Sequence, residues 1–178
     1  MKHLSIALCA AAIFAAAAPA SAHVTLGEES AQAGSYYKAS FRVPHGCDGS
    51  ATTAVSMRIP EGVISVKAQP KPGWTVATEK AAYTQTYEVH GKPVSEGVVK
   101  VTWQGGPLPD DQFDEFAFLA KLPSDPEAMM LFFPVEQTCE KGSIAWDEFA
   151  APGVDPHSLK RPAPALMLIH GEGHEHHH

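Results

Sequence analysis

The sequence predicts an all-β fold: one domain, an antiparallel β-sandwich of immunoglobulin/fibronectin-like type. Three observations carry this. About nine short segments of strand pattern follow one another at roughly ten-residue spacing. The 15 Pro and 14 Gly of the 178-residue chain are spread along it, which suits short strands joined by turns. No segment shows the apolar period of a long helix, and no internal repeat is visible.

Residues 1–22 stand apart from that pattern. Lys2 supplies a charged start, Leu4 to Ala18 an apolar run, and Ala20-Ser21-Ala22 a small-residue cleavage box. These are the three parts of a secretory signal. The competing reading is an uncut anchor, but the apolar run is short of the roughly 20 residues a span needs. Cleavage after Ala22 makes His23 the first residue of a mature chain that is periplasmic or secreted. Ala165-Leu166-Met167-Leu168-Ile169 is far too short to cross a bilayer, so no membrane span is expected in the mature chain.

Residues 23–150 form the expected domain. After His23-Val24-Thr25-Leu26 and a polar stretch with Glu28 and Glu29, Tyr37, Ala39, Phe41 and Val43 alternate with Lys38, Ser40 and Arg42. That is period two, one face in and one face out. Pro44 to Ser50 is a Gly- and Pro-bearing loop. Thr53, Val55, Met57 and Ile59 then alternate with Ser56 and Arg58, and Pro60-Glu61-Gly62 turns the chain into Val63 to Ala68. Pro70-Lys71-Pro72-Gly73 is a turn before Trp74 and Val76. Tyr83 to Val89 and Val98 to Trp103 read as a strand pair joined by a loop over 90–97. Phe116, Phe118 and Ala120 mark the next strand, Met129 to Val135 a largely apolar one, and Ser143 to Phe149 the last. Glu140-Lys141-Gly142-Ser143 reads as a hairpin turn that sets Cys139 near Trp146. Pro152, Pro156, Pro162 and Pro164 mark residues 151–178 as an irregular tail ending in a His-rich run.

Composition narrows the function. The formal charge of −7 becomes one unit more negative when Lys2 is removed, and no basic cluster offsets it. Nucleic acid and anionic membrane surfaces are therefore poor partners. Of the 3 Cys, Cys9 leaves with the signal. Cys47 and Cys139 remain, an even count that suits a disulfide in an oxidising compartment. A cysteine metal site is the weaker alternative, because no C-x-x-C spacing is present.

The chemistry-bearing residue is His23. Cleavage before it places a free α-amino group and an imidazole on one residue, and both can close a chelate ring on one ion. That donor pair suits Cu(II), which heads the divalent affinity order. The amine, with a pKa of about 7.7–8.0, gives up its proton readily near neutral pH. If Cys47 bonds Cys139, the loop carrying His45 and Asp48 lies beside the strand pair carrying Glu136 and Trp146. These residues then gather at one end of the sandwich, where loops meet. His45 is either a ligand or a solvent-facing loop histidine, and Trp146 either a metal neighbour or core; Trp74 and Trp103 read as core. His170, His174, His176, His177 and His178 read as a weak metal-gathering tail, with an expression tag as the alternative.

Several motifs together resemble the YcnI family of extracytoplasmic copper-binding proteins. They are His23-Val24-Thr25 after a signal, Ala33-Gly34-Ser35-Tyr36-Tyr37, and Phe41-Arg42-Val43-Pro44-His45-Gly46-Cys47-Asp48-Gly49-Ser50. Pro70-Lys71-Pro72-Gly73-Trp74, Leu108-Pro109-Asp110-Asp111, Phe113-Asp114-Glu115-Phe116, Phe133-Pro134, Gln137 to Gly142 and Trp146 complete the likeness, which spans residues 23–150. The resemblance implies an immunoglobulin-like sandwich holding Cu(II) through a single-histidine brace at the mature N-terminus. An assisting acid and a nearby tryptophan complete the implied site. His23 corresponds to the brace histidine and Trp146 to the tryptophan; the acid is not placed. The chain departs from anchored members by lacking a C-terminal apolar span, and from some relatives by having Cys47 and Cys139.

The expected function is a copper carrier or chaperone in copper acquisition or homeostasis. It is not expected to be an enzyme, and its partner would be a copper transporter or another periplasmic copper chaperone. The rivals are an N-terminal-His copper monooxygenase and a metal-free surface interaction domain. A monooxygenase usually needs a second braced histidine, and among His45, His90 and His157 none has a clear partner pattern in the sequence.

Overall fold

Period-two burial builds the two main sheets. In the computed structural model, which describes residues 23–151 and 153–171, β3 is Tyr36–Val43. Its alternate residues Tyr37, Ala39, Phe41 and Val43 are all buried. It pairs antiparallel with β1 (Thr25–Leu26) and β8 (Asp114–Lys121), and β5 (Ile64–Ala68) completes a four-stranded sheet in the order β1-β3-β8-β5. The facing sheet has five strands. In sheet order these are β11 (Ser143–Trp146), β10 (Val135–Cys139), β4 (Thr52–Arg58), β7 (Lys92–Leu108) and β6 (Trp74–Val89). Phe41, Phe116 and Phe118 from one sheet meet Met57, Val101 and Trp103 from the other in a single core. Each such side chain contributes about 1.5–3 kcal/mol on burial.

A third, smaller sheet closes one flank. It contains β2 (Ser30–Gln32), β12 (Ala165–Ile169) and β9 (Met130–Phe132), in the order β2-β12-β9. Strand β12 runs parallel to β2 and antiparallel to β9. Leu131, Leu166 and Leu168 face inward and join the main core.

The architecture is the expected all-β sandwich, and several local expectations need correction. Residues 90–97 are not a loop. The turn between β6 and β7 is only His90-Gly91, both in the left-handed region with φ of 50° and 75°, and Val89 pairs with Lys92. Two residues of that conformation match the strand twist. The apolar run Met129 to Val135 is two strands, broken at Phe133-Pro134, with β9 in one sheet and β10 in another. The last strand stops at Trp146 rather than Phe149. The register slips between Thr52 and Ala54, so Thr52 is buried where Thr53 was expected. Finally, the tail after residue 150 is not irregular throughout: it holds a 3₁₀ turn at Pro156–Ser158 and the fully integrated β12.

Among the described residues no helix is long and apolar enough to cross a membrane. The expected signal over 1–22, the His-rich end from 172 (His174, His176, His177 and His178) and the side chain of His157 lie outside the described residues.

Candidate functional site

The start of the described chain and one end of the five-stranded sheet meet at Trp146. That residue is the last of β11, paired with Val135 on β10, and it is 4% exposed. His23 is half-buried and sets its ring edge-on to the indole, with centroids 5.8 Å apart and planes at 64°. His45 approaches the same indole at 6.3 Å and 66°. Trp146 is thus both a buried residue and the common neighbour of two imidazoles.

The indole is held in place by Gln137, which has no exposed surface. Trp146 Nε1–H donates to Gln137 Oε1 at 3.1 Å. The Gln137 amide donates to the His45 carbonyl at 2.6 Å and to Thr52 Oγ1 at 2.8 Å. One side chain therefore ties together β11, the His45 loop and the start of β4. Among the described residues each buried side-chain nitrogen or oxygen has a partner, as a dry corner requires.

The His45 loop is tied down just after the histidine. Gly46 N–H donates to Asp110 Oδ1 at 3.0 Å. A disulfide joins Cys47 to Cys139 with Cα atoms 6.0 Å apart. Cys47 and Ser50 exchange two backbone hydrogen bonds around Asp48-Gly49, whose φ angles are 48° and 83°. This is the two-residue Asp-Gly turn of a tight hairpin.

That turn accounts for the placement of Asp48, a ligand expected from sequence. It is exposed at the turn tip, in the left-handed backbone conformation. Glu136 is placed by its strand. Its neighbours Val135 and Gln137 face inward, so the pleat turns Glu136 to the outer face of the sheet. There it lines an open groove of about 640 Å³ with Arg58, Lys100 and Asp147. Among the described residues no group of three or more His, Cys, Asp or Glu side chains is arranged to hold a metal ion. His23 and His45 come to one indole; Asp48 and Glu136 do not join them. Of the other histidines, His90 meets the Tyr36 hydroxyl at 3.2 Å and His170 the Ala128 carbonyl at 3.0 Å.

Sequence reasoning missed three residues here. Gln137 and Thr52 are uncharged, and neither residue type signals a metal site. Glu29 is the third. It lines a recess of about 80 Å³ together with His23, Thr25, Pro162 and Ala165. Nearby, the buried Tyr37 hydroxyl donates to the Glu28 carbonyl. Burial, with Glu28 and Glu29 adding, pushes its pKa up to about 12.

Fold and corner together define a class: an immunoglobulin-like sandwich whose first described histidine abuts a buried tryptophan. Residues 23–168 match the family described as Domain of unknown function (DUF1775). The chain is 31% identical to the copper-binding protein CutI of Bacillus subtilis (strain 168), over 97% of this chain and 79% of that protein. A crystal structure of an uncharacterized protein from Nocardia farcinica, reported to reveal an immunoglobulin-like fold, superposes with a TM-score of 0.61. It shares 33% identity, over 82% of this chain and 97% of that one. The chain belongs to this YcnI-like family.

Proposed function

We propose that the chain is a periplasmic or secreted Cu(II)-binding protein, a carrier or chaperone in copper acquisition or homeostasis and not an enzyme. In this reading the signal is removed before His23, and the new α-amine and the imidazole hold the ion as a single-histidine brace. The observation that carries it is the placement of His23 against the buried, hydrogen-bonded Trp146. A metal ligand needs a fixed ring and a shielded side, and the contact with Trp146 gives His23 both. The name of the CutI relative supports the same cargo.

The donor set fits Cu(II). Two nitrogen donors on one residue suit it better than they suit a hard cation. Glu29, sharing the recess with His23, supplies the assisting carboxylate. His45 is the second imidazole on the indole, a polar neighbour of the site. Copper is exchanged with a transporter or another copper chaperone.

The test is a competition titration on two forms of the chain. Mature protein beginning at His23 should take one Cu(II) tightly. Protein with one extra residue before His23 should lose most of that affinity, because the amine becomes an amide. Glu29→Gln should weaken binding by about tenfold, the lower end of the range for residues that support metal ligands. Equal affinity of the two chain forms would overturn the brace.

A further inference from the structure

The third sheet carries chemistry that the His23 corner does not use. The chain has 5 Met. Met57 is buried in the core, where an apolar residue belongs. Met129, Met130 and Met167 are instead 58%, 44% and 48% exposed. All three lie on or beside the β9–β12 pair, although Met167 comes from the far end of the chain.

Met130 and Met167 are direct cross-strand partners. Leu168 N–H donates to the Met129 carbonyl at 2.9 Å, and Phe133 N–H to the Pro164 carbonyl at 2.8 Å. These bonds fix the alternation of the ladder and put Met130 and Met167 at a non-hydrogen-bonded position. Side chains come closest there, with Cβ atoms about 4.5–5.5 Å apart. Leu131, Leu166 and Leu168 point into the core, so the two methionines project from the opposite, outer face. The outward positions of all three strands are uncharged. Two flexible thioethers thus rise side by side from a rigid base, with no carboxylate among them to attract a hard ion.

We propose that Met130 and Met167 form a second metal site, specific for Cu(I). The inference rests on the copper reading above. Thioethers are soft ligands that select Cu(I), whereas the amine and imidazole of His23 suit Cu(II). A thioether also carries no proton to displace. The hold of such a site on its ion therefore does not fall in acid. The chain holds the two oxidation states at two places on different sheets.

The experiment uses the mature chain and its Met130→Leu/Met167→Leu variant, a volume-conserving exchange that leaves the fold intact. Cu(I) is competed without oxygen against a chromogenic Cu(I) chelator at pH 5, and Cu(II) is titrated separately at pH 7. The parent should withdraw one Cu(I), and the variant should bind it at least tenfold more weakly. Cu(II) affinity should be the same in both. Copper X-ray absorption of the parent should show sulfur neighbours. Equal Cu(I) affinity in parent and variant, with Cu(II) still bound, would overturn this site alone and leave the methionine face as an apolar contact surface. Loss of Cu(II) binding with Cu(I) binding retained would remove the brace and keep the thioether site.

Discussion

Gln137 has no exposed surface and three polar partners: the Trp146 indole N–H, the His45 carbonyl and the Thr52 hydroxyl. Gln137→Leu keeps the volume and strands those groups, at about 1–3 kcal/mol for each that stays unsatisfied. We expect a fall in melting temperature of about 5–12 °C, since each kcal/mol is worth about 2–4 °C in a domain of this size. Thermal unfolding followed by circular dichroism checks it. Trp146→Phe keeps an apolar ring, so Cu(II) stoichiometry should stay at one while Cu(II) quenching of tryptophan emission falls. Unchanged quenching would return Trp146 to a purely structural role. Tyr37 gives a pH signature. Its folded pKa of about 12 exceeds the unfolded value of 10, so the neutral hydroxyl is favoured by folding. That stability is complete below pH 10 and fades as pH climbs towards 12. Wild type should lose about 2–3 kcal/mol over that window that Tyr37→Phe does not lose. At this scale the contact of His23 with Trp146 was legible through the family resemblance, which pairs a histidine at the domain's start with a tryptophan after the Lys141-Gly142 turn. Gln137 was hidden because attention to residue type favours the acid next to it. Pleat parity decides between the two: Val135, Gln137 and Cys139 share the inner face, and Glu136 does not.

Among the elements, the loop from Pro44 to Ser50 sets where His45 sits. A Cβ on Gly46 would lie 1.9 Å from the Ser50 carbonyl oxygen. Backbone is on both sides of that clash, so nothing can rotate away. Gly46→Ala should cost at least about 3 kcal/mol, measurable by denaturant unfolding, and should loosen the His45 ring. The disulfide closes a separation of 92 residues. On the chain-entropy account its reduction removes about 4–5 kcal/mol, visible as a lowered unfolding midpoint in reductant. The pairing was legible from Cys47 and Cys139, the two cysteines of the domain that begins at residue 23. The strand lengths of the β6–β7 hairpin were not. His90-Gly91 was absorbed into a longer polar stretch, and the pairing of largely exposed strands leaves no alternation to read.

Taken whole, the molecule is two facing sheets plus a flank that the sequence concealed. Four prolines around residues 152–164 and a strand of only five residues gave Ala165–Ile169 the look of tail. Burial of Leu166 and Leu168 shows that the domain extends to them. Ending the chain at Pro164 should therefore remove about 3–6 kcal/mol of apolar burial and uncover Leu131. The measurement is the unfolding midpoint of the shortened chain. A midpoint equal to that of the full chain would show that β12 is dispensable. The alternating core was easy to read because both main sheets have one wet face. The third sheet was not, since its pairing joins segments from opposite ends of the chain.

That long-range pairing imposes an order in time. Among the described strands β2 has one hydrogen-bonded neighbour, β12, and the recess beside His23 takes part of its wall from Pro162 to Ala165. Synthesis from the front end makes His23 early and this wall almost last. Until the chain is nearly complete, the histidine stands without that side of its recess. A chain broken off before Pro162 would never acquire it. Completion of the polypeptide is thus the condition for closing the recess.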